Sequence, residues 1–248
     1  MQIRRVPIGR GWRWIVEAFA LFRRNPLIWI VLNLVLLLIG LGLDVIPIVG
    51  GYVLYLLTPL FLAGMMTACR DLEAGGEIEI AHLFRGFRSN TSQLVTVGGV
   101  YLVGQVVIVG VVLSIGGLDL QEALRAAAEG NADKITPEAA NRVSLAVLVG
   151  SALFVPLAMA VWFAPTLVIL DNAPALRALQ ASIQACLANL LPFLFYSVVM
   201  SGLLVLAVMP LFAGLVLWVP VAVISAYTSY RDVFVHAVGE TGTSRGAQ

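Results

Sequence analysis

The stretch from Trp162 to Phe193, WFAPTLVILDNAPALRALQASIQACLANLLPF, holds a whole construction unit. An apolar run ends at Asp171, a polar turn follows, and Pro174 stands where the first turn of a helix tolerates a missing N–H. Beyond it Leu176, Leu179, Ile183, Leu187 and Leu190 recur at spacings of three and four, with Arg177, Gln180 and Gln184 on the other side. That periodicity predicts an amphipathic helix. The helix runs straight into a second apolar run. The unit is a membrane span, a surface helix and another span, and the same construction recurs along the chain.

A chain that is 60% hydrophobic and 12% charged is no soluble domain, where about a quarter of the residues are charged. It reads as an all-α polytopic membrane protein. Ser89 to Leu118, Val143 to Leu170 and Ala178 to Tyr230 contain no Asp, Glu, Lys or Arg. As one helix the last of these would be about 80 Å long, against a hydrocarbon core of about 30 Å, so it must fold back. Six transmembrane helices are expected, near 27–43, 47–69, 93–116, 145–170, 190–209 and 211–230, within a single membrane domain over 1–236. Residues 237–248, small and polar, read as a flexible tail. Met1 to Arg24 lacks the apolar core of a cleavable signal, so the first span is expected to stay as an anchor.

Two or three interfacial helices should accompany the spans. In the first, Trp12, Ile15, Phe19 and Phe22 form one stripe, with Arg10, Arg13, Arg23 and Arg24 around it. That is the pattern of a helix lying in the headgroup region, where each arginine gains about 1 kcal/mol from anionic lipid. Basic residues interleaved with membrane-type aromatics beside a span argue for anionic phospholipid as the partner and against nucleic acid. The second is marked by Ile80, Leu83, Phe84 and Phe87, after the breaker Gly75-Gly76. The third is the helix after Pro174.

Asp44-Val45-Ile46 is a tight turn in which Asp44 reads as a cap on the second span. Leu118 to Arg142 is acidic, with a short helix expected over Gln121–Glu129, and the fourth span should bend at Pro156 and Pro165. Of the 15 basic residues, only Arg125, Lys134 and Arg142 fall on the acidic side. The positive-inside rule therefore puts both termini in the cytoplasm of a bacterial inner membrane.

A repeat runs through the chain. Phe22-Arg-Arg-Asn25-Pro26, Phe87-Arg-Ser-Asn90 and Cys186-Leu-Ala-Asn189 each close a surface helix with Asn before a span. Pro59 precedes Arg70-Asp71 as Pro220 precedes Arg231-Asp232. Three helix-plus-hairpin units follow, the middle one enlarged by the acidic segment.

Phe163-Ala-Pro165, Asp171, Pro174-Ala-Leu, Ser182, Asn189, Pro192 and Ser229-Tyr-Arg-Asp-Val-Phe234 resemble a family of uncharacterised proteobacterial multi-pass inner-membrane proteins. More distantly the chain is similar to the membrane region of some bacterial glycerophosphodiester phosphodiesterases. The resemblance spans roughly Ile3 to Val235. The enzyme domain of the second group has no counterpart here, so its activity is not implied.

The residues offer no nucleophile with a base, no phosphate loop, no metal-ligand spacing and no paired carboxylates, so a non-enzymatic protein without cofactor is expected. His82 and His236 read as solvated or interfacial histidines, and Cys69 and Cys186, without a CxxC partner, as small apolar residues. Spans free of charge argue against an ion-coupled transporter. Asn33 and Gln105 remain as intramembrane polar residues, explained by hydrogen bonds between helices or by the lining of a pore. Two functions stay open: a protein that organises or handles lipid, or scaffolds a protein partner or second copy, through its surface helices; or a passive transporter or channel for a small neutral or amphipathic solute.

Overall fold

In hydrocarbon every backbone N–H and C=O must find a partner within its own segment, and helices are the local solution. The computed structural model describes residues 2–47, 49–131 and 135–235. His236, Asp133, Lys134, Arg245 and the expected tail lie outside the described residues. In order come β1 (Gln2–Ile3), α1 (Arg10–Phe22), α2 (Pro26–Asp44), α3 (Val49–Glu73), a 3-10 helix (Ile80–Phe87), α4 (Thr91–Ala128), α5 (Pro137–Trp162), α6 (Ala164–Asp171), α7 (Ala175–Ala188), α8 (Leu190–Val208), α9 (Leu215–Val233) and β2 (Phe234–Val235). The two short strands pair antiparallel, Gln2 opposite Val235 and Ile3 opposite Phe234. They are too short for any alternation to show in the sequence, which reads there as a continuation of α9.

The all-α polytopic architecture expected from composition is the one found. Among the described residues five helical segments are long and apolar enough to cross a membrane: α2, α3, α4, α5 with α6, and α8. The sixth expected span, 211–230, forms α9, which has a span's length of 19 residues but a polar second half. Ser225, Thr228 and Ser229 are buried there, turned toward protein.

The element ends differ from expectation for local reasons. Gly117, at φ 50° and ψ −135°, interrupts α4 where the third span was expected to end, and the alanine-rich segment continues beyond it. Thr136 caps α5 by accepting the Ala139 N–H at 3.2 Å, so this helix begins well before 145. The bend expected near Pro165 is a break at Phe163, with Pro165 placed in the first turn of α6. Ser182 of α7 repairs it: its hydroxyl donates to the Met159 carbonyl at 2.5 Å and accepts the Phe163 N–H at 3.0 Å. Asp44 closes α2 instead of capping α3.

Contacts divide the chain into two compact units, one from Met1–Leu37, Gly64–Arg85 and Ile183–Gln248, the other from Leu38–Ala63 and Gly86–Ser182. The threefold repeat is visible in the element order: α1 precedes α2 and α3, the 3-10 helix precedes α4 to α6, and α7 precedes α8 and α9. Each surface helix docks on the hairpin before it in sequence, and α1, having none before it, docks on the last. In the first unit α1 packs on α8 and α9, and Gly64 of α3 lies against the backbone of His82 and Leu83. In the second unit Phe87 packs edge-on against Phe61 of α3, ring centres 5.1 Å apart, while α7 docks through Ser182 on the break between α5 and α6.

Close approach needs small residues where helices touch. Gly11 of α1 is such a point, because a Cβ there would stand 2.5 Å from the Pro192 carbonyl oxygen, whereas one on neighbouring Gly9 would meet nothing within 4 Å. Gly11→Ala is expected to cost about 1–3 kcal/mol by overpacking, and Gly9→Ala to stay within about 0.5 kcal/mol. Equal denaturation midpoints for the two variants in detergent would show that α1 is not seated this closely.

Candidate lipid-facing site

The first surface helix is held by charge as well as by packing. Its face of Trp14, Ile15, Ala18, Leu21 and Phe22 is buried, with the Trp14 ring 5.0 Å from Phe193 and 6.1 Å from Tyr196. One oxygen of Asp232 in α9 accepts both the Trp14 indole N–H, at 2.9 Å, and the Arg10 Nε–H, at 2.5 Å. Arg10 also donates to Glu17 at 3.1 Å. Arg231 in turn donates to Glu17 at 2.7 Å and pairs with Glu73, and the Tyr227 hydroxyl donates to Glu73 at 2.7 Å. Burial works to lower the Arg10 pKa, but the hydrogen bond and charge of Asp232, with Glu17, outweigh it and hold the guanidinium above its ordinary value. Asn189 fixes the chain ahead of the helix, accepting the Val6 N–H at 2.8 Å and donating to the Arg4 carbonyl at 3.0 Å.

This arrangement divides the four arginines named from the sequence. Arg10 is turned inward and paired, while Arg13, Arg23 and Arg24 are exposed. Arg24 donates to the Leu72 carbonyl at 3.3 Å, a neutral partner that leaves its charge uncompensated. The Arg23 guanidinium carbon stands 5.9 Å from the centre of the Phe19 ring. The expected aromatic stripe also divides: Ile15 and Phe22 are buried in the protein, and the face left open is Ile8, Trp12, Val16 and Phe19. Beneath that face, between α1, α8 and α9, lies an apolar groove of about 480 Å³. Trp12, Ile15 and Phe19 form one wall, Met200 and Leu203 another, and Trp218 of α9 closes it. The Trp218 N–H is spent on the Met200 carbonyl at 3.0 Å, so the wall presents carbon.

A second feature of the same unit is polar. Asp71 in α3 accepts from Arg85 and His82 of the 3-10 helix, the latter at 3.2 Å from Nε2, at the edge of a cleft of about 430 Å³ that Glu77 and Glu79 also line. His82, expected to be solvated or interfacial, is buried at 3% exposure. Its Nδ1 stands 3.0 Å from the Glu79 N and 3.1 Å from the Glu79 O, and its Nε2 faces Asp71. The histidine locks the 3-10 helix onto α3. Among the described residues no three His, Cys, Asp or Glu side chains are grouped to hold a metal ion.

Asn33 and Gln105 fall in different units. The Asn33 amide donates to the Trp29 carbonyl at 2.8 Å, within its own helix, where a bond to a neighbouring helix was expected. Gln105 is half-buried. Cys69 and Cys186 are both buried, as small apolar residues would be, and burial pushes the Cys186 thiol up to about 12.

What periodicity could not find is the role of the carboxylates. Asp71 and Asp232 both stand at the end of a hairpin helix and both take an arginine and a ring N–H from the docked surface helix. The signal was present as the repeated Arg-Asp pair after a proline.

Apolar spans with surface helices clamped to their hairpins define a polytopic α-helical membrane protein. Over 210 residues the chain is 33% identical to a probable inner membrane protein of Burkholderia thailandensis, the match covering 82% of this chain and 76% of the relative. The chain belongs to that family of probable inner-membrane proteins. No protein-family model matches it, and no solved structure does.

Asp232→Asn leaves Arg10 and Trp14 with a weaker acceptor in a place where Asp232 is only 9% exposed. The loss should be about 2–3 kcal/mol, the range for hydrogen bonds to charged groups. Asp119→Asn, which breaks the exposed pair with Arg142, should cost less than about 1 kcal/mol. Denaturant titration in detergent, with tryptophan emission as a second readout, compares them; an Asp232→Asn midpoint as close to the parent as that of Asp119→Asn would mean the clamp adds little.

Proposed function

We infer that this is a non-enzymatic inner-membrane protein that binds and organises lipid at its cytoplasmic face through its surface helices, α1 foremost. The observation that carries the reading is the open face of α1. Ile8, Trp12, Val16 and Phe19 remain exposed after the helix has docked, with Arg13, Arg23 and Arg24 exposed around them. An apolar face of this kind seats in the boundary between headgroups and acyl chains and brings the guanidinium groups to phosphate level. Each planar fork can hold a phosphate through two parallel hydrogen bonds. A passive path for solute finds less support, since Asn33 is spent within its own helix.

Anionic phospholipid is the expected partner. Changing Arg13, Arg23 and Arg24 together to Gln removes about 3 kcal/mol of attraction at about 1 kcal/mol each, and native mass spectrometry should show anionic lipid largely lost from the purified protein. Co-purification of the same anionic lipids in the same amounts would refute the reading.

Orientation is part of the proposal. With twelve of the 15 basic residues on one side, that side is cytoplasmic and holds both termini. Reporters fused at Gly75 and Ala173 should give cytoplasmic signals and one at Ala127 a periplasmic signal. A cytoplasmic signal at Ala127 would reverse the assignment of the acidic segment.

A further inference from the structure

The groove beneath α1 has walls of carbon, and Arg23 stands beside Phe19, one of its wall residues. We propose that it holds a single acyl chain of a phospholipid whose phosphate rests on Arg23. The proposal depends on the lipid-binding reading above and narrows it to one site and one arginine.

Size argues for a chain over a protein segment. The groove is about 480 Å³, whereas three turns of helix with side chains, 10–12 Å across, displace on the order of 1,500 Å³. Charge places the headgroup. Phe19 forms part of the groove wall and the Arg23 guanidinium stands 5.9 Å from its ring centre, so the phosphate of a lipid lying in the groove meets Arg23 at the level of α1. The chain then runs past Met200 and Leu203 toward Ala207 and Gly214, down the face of α8 and α9. Within a bilayer, leaving other lipid for this groove gains no hydrophobic free energy, because lipid tails are as apolar as Leu. What the groove adds is dispersion contact with fixed walls, and discrimination lies at the phosphate.

Delipidated full-length protein in detergent, titrated with phosphatidylglycerol and followed by native mass spectrometry, tests this. The parent is expected to keep one phospholipid per chain. Leu203→Trp, which fills the groove, should lower that occupancy at least about tenfold. Arg23→Gln should lower it about fivefold, the factor carried by one juxtamembrane arginine at about 1 kcal/mol. Leu194→Trp, on an exposed part of α8 outside the groove, should bind as the parent does. Val16→Phe, a second filling change on the α1 wall, takes the place of Leu203→Trp if that variant does not fold. Parental binding by the filled variants means annular lipid only and overturns the site. If they bind normally while the triple arginine variant loses anionic lipid, the site is wrong and the wider lipid reading stands; if the triple variant also binds normally, both fail. A dimer that the filling changes dissociate would assign the groove to a second copy and overturn the proposal as well.

Discussion

Asp232, next to last in α9, takes a guanidinium and an indole N–H from α1 on one oxygen, and Asp71, near the end of α3, takes a guanidinium and an imidazole from the 3-10 helix. A carboxylate in the last turn of a helix faces the negative end of the macrodipole and is disfavoured there by about 0.3–1 kcal/mol when alone. Paired with an arginine and a ring N–H, that local penalty is offset and the helix end becomes a socket. Asp171 closes α6 at the corresponding place in the middle hairpin. The surface helices need such sockets because the membrane supplies no hydrophobic force to drive one helix onto another. Small residues let the backbones approach, as at Gly11 and Gly64, and the charged groups decide where they settle.

Docking of this kind gives a surface helix two apolar faces instead of one. In α7 the buried face is made of small groups, Ala175, Ala178, Ser182 and Ala185, together with Leu179, while Leu176 and Leu187 stay exposed. In α1 the buried face carries Trp14 and Ile15 and the open one Trp12, Val16 and Phe19. These open faces lie on helices that adjoin apolar spans in the chain. Where the open face of α1 passes over α8 and α9, the two apolar surfaces bound a groove.

This doubling also explains what could be read from the sequence and what could not. The spans were legible because twenty uncharged residues admit few other readings, and the three surface helices were legible from their period. The helix-plus-hairpin repeat was legible from Asn25, Asn90 and Asn189. Which side of each surface helix meets protein was not, because a periodicity of 3.6 sums both apolar faces into one direction. Trp12, Ile15, Phe19 and Phe22 therefore looked like one stripe, and Leu176, Leu179 and Leu187 like another. His82 looked solvated or interfacial for a related reason: its partner Asp71 lies in a different helix, and no spacing rule links the two. The socket at Asp232 joins residues 222 apart, a distance over which local pattern carries nothing, although the recurrence of Arg-Asp after a proline marked both positions.

The same network separates the basic residues that are paired within the fold from those left exposed. Arg10 and Arg231 sit among Glu17, Glu73 and Asp232, two cations against three anions. That cluster has no positive charge to spare, so Arg10, which the sequence groups with its neighbours on α1, is half-buried and has its charge balanced within the protein. The surplus rests on Arg13, Arg23 and Arg24, whose contacts are a neutral carbonyl and an aromatic ring or none among the described residues. A count of arginines near a span thus mixes two populations. Only the second keeps its charge uncompensated, and of that population Arg23 is the one placed over Phe19, a ring that walls the groove.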